Sequence, residues 1–242
     1  MSKQCLINQP LGLGDILWVQ GLVDHFIDSG YDVVYPVGDV YYNMLTEYID
    51  KPGLSWYHEH DDYPMKQVFG ITTPLKNETQ VYLPLQYADR HVNGPLLLTK
   101  YLFAEVDIPA DYRNHFDIKR NYDREQTLID TYGLHDDYIL INECFATKPS
   151  TLQRNIVVDT NLPVHRMSIE QDEANGFHVF DWIGALQKAK AVHTVQTSIC
   201  LLMDKYCDND MHVYERRVEG WPRTFHNEIE NVYKNSRWVY ED

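Results

Sequence analysis

The residues best placed to do chemistry lie in one early stretch, Gln9-Pro10-Leu11-Gly12-Leu13-Gly14-Asp15. Two glycines let the backbone approach a ligand closely, and the free N–H groups at the start of a helix point at an anion bound there. The acid Asp15 has two possible roles: it caps the helix, or it stands at the mouth of a cleft as a general base. The spacing of the residues leaves both roles open.

The elements that position this stretch are predicted from the apolar pattern on either side of it. The run Cys5-Leu6-Ile7 indicates a strand, and apolar residues at near-helical spacing over 16–27 indicate a helix that stops at Ser29-Gly30. A second strand is predicted over Asp32–Val37. Because parallel strands joined by a helix form a right-handed unit, the chain should open as a βαβ unit.

Strands and helices alternate along the rest of the chain. Further strands are predicted over 80–85, 138–142, 164–169, 191–195 and 211–214, and further helices over 41–49, 95–106, 124–132, 179–190 and 197–206. A polar, irregular stretch over 107–123 marks a domain boundary. The pattern predicts an α/β protein with two doubly wound sheets, in domains 1–123 and 124–242.

The second informative stretch is Val192-His193-Thr194-Val195-Gln196-Thr197-Ser198. A strand ends there and a helix begins at small hydroxyl residues, which in a parallel sheet places Thr197 and Ser198 at the edge where ligands bind. Their hydroxyls and free N–H groups suit a phosphate, although the same residues form an ordinary helix cap.

Composition excludes some classes of function. The net charge of −15 argues against a protein that binds the phosphate backbone of nucleic acids, since such proteins carry a basic face. No apolar run approaches the roughly 18–20 residues of a membrane span, and no signal peptide is evident. The four cysteines show no paired metal-ligand spacing. We therefore expect a cytoplasmic protein with reduced thiols.

Two clusters could bind metal, and neither has a complete ligand set in the sequence. The loop His58-Glu59-His60-Asp61-Asp62 offers a His-x-His pair, but no distant third ligand can be assigned. Asp208-Asn209-Asp210 is predicted to join the end of a helix to the start of a strand. That position is at the edge of the sheet opposite the one where ligands bind. We therefore expect no metal. The Gly12-x-Gly14 pair also lacks the third glycine of a dinucleotide fingerprint.

Two motifs resemble one enzyme family. The segment LGLGD at residues 11–15 and the segment WIGALQKAKAVHTVQTSICLL at residues 182–202 resemble the ADP-heptose-type glycosyltransferases, the lipopolysaccharide heptosyltransferases and their distant relatives. The resemblance implies a glycosyltransferase-B architecture with two facing Rossmann-like domains and a central cleft. It implies a nucleotide-sugar donor on the C-terminal domain and an acceptor on the N-terminal one.

The resemblance also implies roles for individual residues. Sugar transfer in this family inverts the anomeric centre without a metal, and Asp15 matches the acid that serves as the general base. Near the donor we place hydroxyl, basic and acidic residues together with the two glycines: Gly12, Gly14, Thr147, Lys148, Arg154, Glu170, Gln196, Thr197 and Ser198. Cations and hydroxyls there would stabilise the departing diphosphate.

Two positions depart from the family pattern. The family's acid before the turn is Gln196 here, and its usual histidine falls at Leu201. We therefore expect a hexosyl- or pentosyltransferase that uses a nucleotide sugar other than ADP-heptose. The acceptor is open among glycan, lipid, protein and modified base. A catalytically silent nucleotide- or sugar-binding protein and a nucleotide-sugar epimerase are the alternatives.

Overall fold

The computed structural model describes residues 2–92, 96–145, 155–214 and 238–241. The chain divides into two compact units, Met1–Lys119 and Arg120–Asp242. Each unit is an α/β layer structure built on a five-stranded, mostly parallel sheet, which confirms the predicted α/β class. None of the helices in the described ranges is both long and apolar enough to span a membrane.

The first unit has the strand order β3-β2-β1-β5-β4. Four of its strands are parallel, and the short β4 pairs antiparallel with β5. Its elements are β1 (Lys3–Ile7), α1 (Leu13–Trp18), α2 (Gln20–Asp28), β2 (Tyr31–Val37), α3 (Asp39–Tyr48), β3 (Leu54–His58), β4 (Leu75–Lys76), β5 (Gln80–Leu83) and α4 (Leu96–Ala104). The chain runs from β1 outward to β3 and then returns to the other side of β1. The crevice between the ends of β1 and β5 is therefore the switch point of this sheet, where ligands bind in such folds.

Helix α4 packs against the end of α1. The indole N–H of Trp18, the last residue of α1, donates to the carbonyl of Leu97 at 2.8 Å, and the hydroxyl of Tyr101 donates to the carbonyl of Trp18 at 2.9 Å. The side chains of Trp18 and Tyr101 are buried, and their rings meet edge to face. These contacts fix the first half of α4 against the end of α1.

The second unit has the strand order β10-β9-β8-β6-β7, and all four neighbouring pairs are parallel. Its elements are α5 (Tyr122–Tyr132), β6 (Ile139–Asn142), β7 (Val164–Arg166), α6 (Ile169–Asn175), a 3-10 turn (Val179–Trp182), α7 (Ile183–Lys188), β8 (Ala191–Val195), α8 (Ser198–Tyr206), β9 (Asp210–Tyr214) and β10 (Trp238–Glu241). The order reverses between β6 and β8, so the ends of these two strands form the switch point of this sheet.

Three local predictions were wrong. The strand predicted over 164–169 ends at Arg166, because Ser168 caps a new helix by accepting a hydrogen bond from the N–H of Gln171 at 3.4 Å. The helix predicted over 179–190 begins as a 3-10 turn and stops at Lys188. Strands β3 and β4 were not predicted, because they are short and carry few buried side chains.

Candidate functional site

Asp15 lies in the first turn of α1, immediately after the loop that leaves β1. The N–H of Gln86, which follows β5, donates to the carbonyl of Asn8 at 3.1 Å and holds the loops after β1 and β5 together. Asp15 is therefore at the carboxyl edge of the first sheet, beside its switch point. The sequence placed it there correctly from strand, glycine turn and helix.

Asp15 is not the cap of α1. The N-cap is Gly12, with φ of 81°, and Asp15 follows three residues later. A Cβ added to Gly12 would come within 2.5 Å of the Oδ2 atom of Asp15. Glycine is thus required twice at this position, for its left-handed backbone and for the close approach of the carboxylate. Gly14 is the second residue of α1, so the first turn of that helix carries no side chain at this position.

A buried lysine holds the Asp15 carboxylate. The Nζ atom of Lys100, on α4, lies 3.3 Å from Oδ1 of Asp15; the lysine side chain is 4% exposed and the aspartate side chain 26%. The same ammonium donates to Oε1 of Gln9 at 2.7 Å and to the carbonyl of Leu85 at 3.5 Å. A charged lysine is rarely buried without partners, so this contact fixes the carboxylate while one side of it stays accessible.

Several polar groups around Asp15 have unused hydrogen-bonding capacity. Within the described part of the chain, Oδ1 of Asn8 and the hydroxyl of Tyr35 are buried and have no hydrogen-bond partner. Burial, and then the negative charge of Asp15, raises the pKa of Tyr35, so its hydroxyl remains a neutral donor. Burial also raises the pKa of Tyr41, whose hydroxyl lies near the N–H groups of Gly12 and Leu13. The edge therefore offers a ligand the partly exposed carboxylate of Asp15 and the neutral phenol of Tyr41.

In the second unit, Asn142 organises the switch point. It ends β6 and donates through Nδ2 to the hydroxyl of Thr194 at 3.0 Å and to that of Thr197 at 3.2 Å. Thr197 caps α8 by accepting from the N–H of Ile199 at 3.3 Å. The N–H of Cys144 donates to Oδ1 of Asn142 at 3.2 Å. One buried amide thus ties β6, β8 and the start of α8 together.

The other residues that were predicted to bind the sugar donor do not all lie at this edge of the sheet. Ser198 opens α8, and Oε1 of Gln196 is buried without a hydrogen-bond partner among the described residues. Glu170 is exposed in the first turn of α6, one residue after the start of that helix and not at the end of a strand. Leu201 is buried in α8, so it belongs to the core. Thr147, Lys148 and Arg154 lie outside the described residues.

An ion pair at the carboxyl edge of β7 was not predicted. Arg166, the last residue of β7, donates through Nη1 to Oε2 of Glu143 at 2.7 Å and through Nη2 to the carbonyl of Ile156 at 2.8 Å. Glu143 also accepts from the N–H of Ile156. These three contacts hold Glu143 and Ile156, which precede and follow residues 146–154 in the chain.

Sequence reasoning missed Lys100 and Asn142 as well as Arg166. A single lysine within the apolar run Leu96-Leu97-Leu98-Thr99-Lys100-Tyr101 could have been noticed, since a lysine on an apolar helix needs a buried partner. Asn142 could have been found as the polar residue that ends a fully apolar strand. No feature of the sequence around Arg166 indicates that it forms an ion pair.

No protein-family model matches this chain, and no curated protein matches it either. Solved structures do match. One is the glycosyl transferase family 9 from Veillonella parvula, with 9% identity and a TM-score of 0.50 over 88% of this chain and 80% of that one. A second is the iron-containing dodecameric glycosyltransferase TibC from enterotoxigenic E. coli, with 7% identity and a TM-score of 0.49 over 88% of this chain and 58% of that one. A third is the E. coli heptosyltransferase WaaC with ADP, with 12% identity and a TM-score of 0.45 over 96% and 97% of the two chains.

The likeness to the Veillonella structure shows the fold of this chain. It confirms, at the level of fold, the resemblance to ADP-heptose-type glycosyltransferases that was predicted from the two motifs. Identity of 9% carries nothing about substrate, so the chemistry rests on the residues at the two carboxyl edges.

Proposed function

We propose that this chain is a glycosyltransferase that moves a sugar from a nucleotide-sugar donor to an acceptor hydroxyl. The observation that carries the proposal is the Asp15 carboxylate, held by the buried Lys100 at the switch point of the first sheet, in a chain with the fold of a family 9 glycosyltransferase. In the proposed enzyme, residues 1–123 bind the acceptor and residues 124–242 bind the donor. Their carboxyl edges face one another across a cleft, in the glycosyltransferase-B manner.

The proposed step is an inverting displacement with Asp15 as the general base. Asp15 accepts the proton of an acceptor hydroxyl while that oxygen attacks the anomeric carbon of the donor sugar. A new glycosidic bond forms, the bond between the anomeric carbon and the diphosphate oxygen breaks, and the nucleoside diphosphate leaves. Lys100 acts as a positioning residue, because its 3.3 Å contact fixes one carboxylate oxygen and leaves the other toward Gly12.

A phenol beside Asp15 suits an acceptor that carries more than one hydroxyl. Tyr41 is partly exposed, and its hydroxyl lies near the N–H groups of Gly12 and Leu13. Burial raises the pKa of Tyr41, so its neutral hydroxyl can donate a hydrogen bond to a sugar hydroxyl or accept one from it. We therefore infer an acceptor with a second hydroxyl near the one that reacts.

On the donor side we propose that α8 binds the diphosphate. Its first N–H groups and the Ser198 hydroxyl lie at the ligand edge of the sheet, and Asn142 fixes the orientation of Thr197. Thr147, Lys148 and Arg154 are proposed to neutralise the leaving group, in place of a metal. Gln196, with its free amide oxygen, and Glu170 are proposed to accept from donor hydroxyls. We propose a hexose or pentose nucleotide sugar as the donor, because Gln196 stands where the ADP-heptose-type family has an acid.

Donor binding is tested by a thermal-shift screen against UDP, GDP, ADP, CMP and dTDP and their common sugar conjugates. A ligand at a hundred times its dissociation constant stabilises the folded protein by about 2.7 kcal/mol. We expect a shift with one nucleotide family, and a smaller one for Ser198→Ala, which lacks the proposed diphosphate contact. Thr127→Val, a change at an exposed threonine of α5, is the control and should bind as the wild type does.

Two results would contradict the proposal. The first is that no nucleotide or nucleotide sugar shifts the melting temperature of the wild-type protein. The second is that Ser198→Ala and Thr127→Val bind the nucleotide equally well, which would remove α8 from the donor site.

A further inference from the structure

A cluster of metal-ligating side chains lies apart from Asp15, at the other end of the same sheet edge. Asp39 opens α3, His58 ends β3, and His60 follows in the next turn. One ligand atom from each of the three lies within 4.8 Å of the others. The fold thus supplies, from α3, the distant third ligand that the His-x-His loop lacks in the sequence.

The distances fit a small divalent cation. The Nδ1 atoms of His58 and His60 lie 2.9 Å and 3.2 Å from Oδ1 of Asp39. Two ligands bound to one Zn²⁺ ion at about 2.0–2.1 Å and at the tetrahedral angle stand about 3.3 Å apart. Both histidine nitrogens are therefore within a few tenths of an ångström of the spacing that they would have from Asp39 if they shared one ion with it.

The surrounding residues hold the ligands in place. The ring of Tyr42 stacks on His58 with centroids 3.8 Å apart, and the other nitrogen of His60 faces Oδ1 of Asp61 at 3.7 Å. A carboxylate behind a ligating histidine is the usual outer partner in zinc sites. The ammonium of Lys66 donates to the carbonyls of Glu59, at 2.9 Å, and Asp61, which fixes the turn that carries His60.

We propose that Asp39, His58 and His60 form a divalent-metal site that takes Zn²⁺. Two imidazoles and one carboxylate are a ligand set that zinc accepts, with the fourth position left to water or to a small ligand. The metal would join the start of α3 to the end of β3. Because α3 also places Tyr41 near Gly12 and Leu13, the site would brace the loop that carries Asp15 without taking part in transfer. The proposal does not depend on the proposed glycosyltransferase activity.

The test uses untagged full-length protein, freed of metal by dialysis against a chelator and titrated with Zn²⁺ by calorimetry. We expect one ion per chain. Loss of an outer partner costs 10–100-fold in affinity, so Asp61→Asn should weaken binding by about tenfold, and loss of a direct ligand in His60→Gln by about a hundredfold or more. His135→Gln is the matched control, since His135 is equally exposed and lies 3.9 Å from Asp130.

His60 is exposed, so its loss should leave the fold intact, and circular dichroism of each variant verifies this. With Zn²⁺ at a hundred times its dissociation constant, the wild type should melt at least about 5 °C higher, and His60→Gln should lose that increase. The proposal is overturned if the wild type binds no Zn²⁺. It is equally overturned if His58→Gln and His60→Gln bind Zn²⁺ as tightly as His135→Gln does.

Discussion

The contact between Asp15 and Lys100 makes an unusual prediction about stability: a double variant should be more stable than one of its single parents. At 3.3 Å and an effective dielectric constant of about 20, the two charges attract by roughly 5 kcal/mol before desolvation is counted. The lysine side chain is 4% exposed and the aspartate 26%, so the two halves of the pair are not equivalent. Removing Asp15 and removing Lys100 should therefore lower the free energy of unfolding by different amounts.

Asp15→Asn leaves a buried ammonium whose remaining partners among the described residues are Gln9 and the carbonyl of Leu85, and should cost about 3 kcal/mol. Lys100→Met keeps the volume of the side chain on an apolar helix and leaves a carboxylate that water reaches, so it should cost about 1 kcal/mol. The double variant removes the stranded ammonium. It should regain about 2–3 kcal/mol relative to the sum of the single changes, and should therefore exceed Asp15→Asn in stability.

The assay is hydrogen exchange by mass spectrometry on peptides that cover β1, because these report on the first unit alone. A matched control is the pair of Lys190 and Asp137, with atoms 3.2 Å apart but side chains 54% and 63% exposed. A double-mutant cycle on Lys190 and Asp137, measured by exchange of peptides that cover β6, should give a coupling free energy below about 0.5 kcal/mol. If the Asp15–Lys100 coupling is no larger than this, the reasoning about the buried ammonium is refuted.

Three further predictions concern a glycine, the thiols and one half-buried acid. Gly30→Ala, with φ of 82° and open space at its Cβ, should cost about 1–2 kcal/mol in urea unfolding and leave turnover unchanged. Gly12→Ala should cost more than Gly30→Ala, because its Cβ also meets Oδ2 of Asp15, and should lower turnover by displacing that carboxylate. Ellman's reagent should label the half-buried Cys144 first in native protein, and equal labelling of all four cysteines would contradict the burial of Cys5, Cys200 and Cys207. Burial raises the pKa of Asp172, so the folded state holds the proton of this carboxyl more tightly than the unfolded state does. The stabilisation that follows is present below about pH 3.9 and is lost as the pH rises from there through the pKa of Asp172 in the folded state. The difference in unfolding free energy between wild type and Asp172→Asn should therefore change across that range, and a constant difference would contradict the prediction.

The first carboxyl edge was predictable because its information is local. A strand, a glycine with left-handed backbone and a helix with an acid in its first turn follow one another within the first 18 residues. Lys100 was not predictable in the same way, since its contact with Gln9 spans 91 positions and depends on how α4 packs over α1. Periodicity reports which face of a helix is buried, and it does not report what a buried polar group meets there.

In the second unit the predictions failed where a short polar segment decided the structure. Ile169 continues an apolar alternation and suggests a strand, but the capping hydroxyl of Ser168 starts a helix there instead. The metal cluster shows the same limit. His58 and His60 are two positions apart in the sequence, whereas Asp39 joins them through the pairing of β2 with β3, which places Val37 opposite His58.

The central claim is that Asp15 is the base of a sugar transfer. Its most direct test is the release of nucleoside diphosphate from the matching nucleotide sugar, with a mixture of candidate acceptors, by wild type, Asp15→Asn and the control Asp28→Asn on the exposed end of α2. General-base catalysis contributes about 10²–10⁴-fold, so Asp15→Asn should lose at least about a hundredfold in turnover while its donor affinity and the turnover of Asp28→Asn stay at the wild-type level. Wild-type turnover by Asp15→Asn, or donor binding by the wild type with no release of the diphosphate, would contradict the claim.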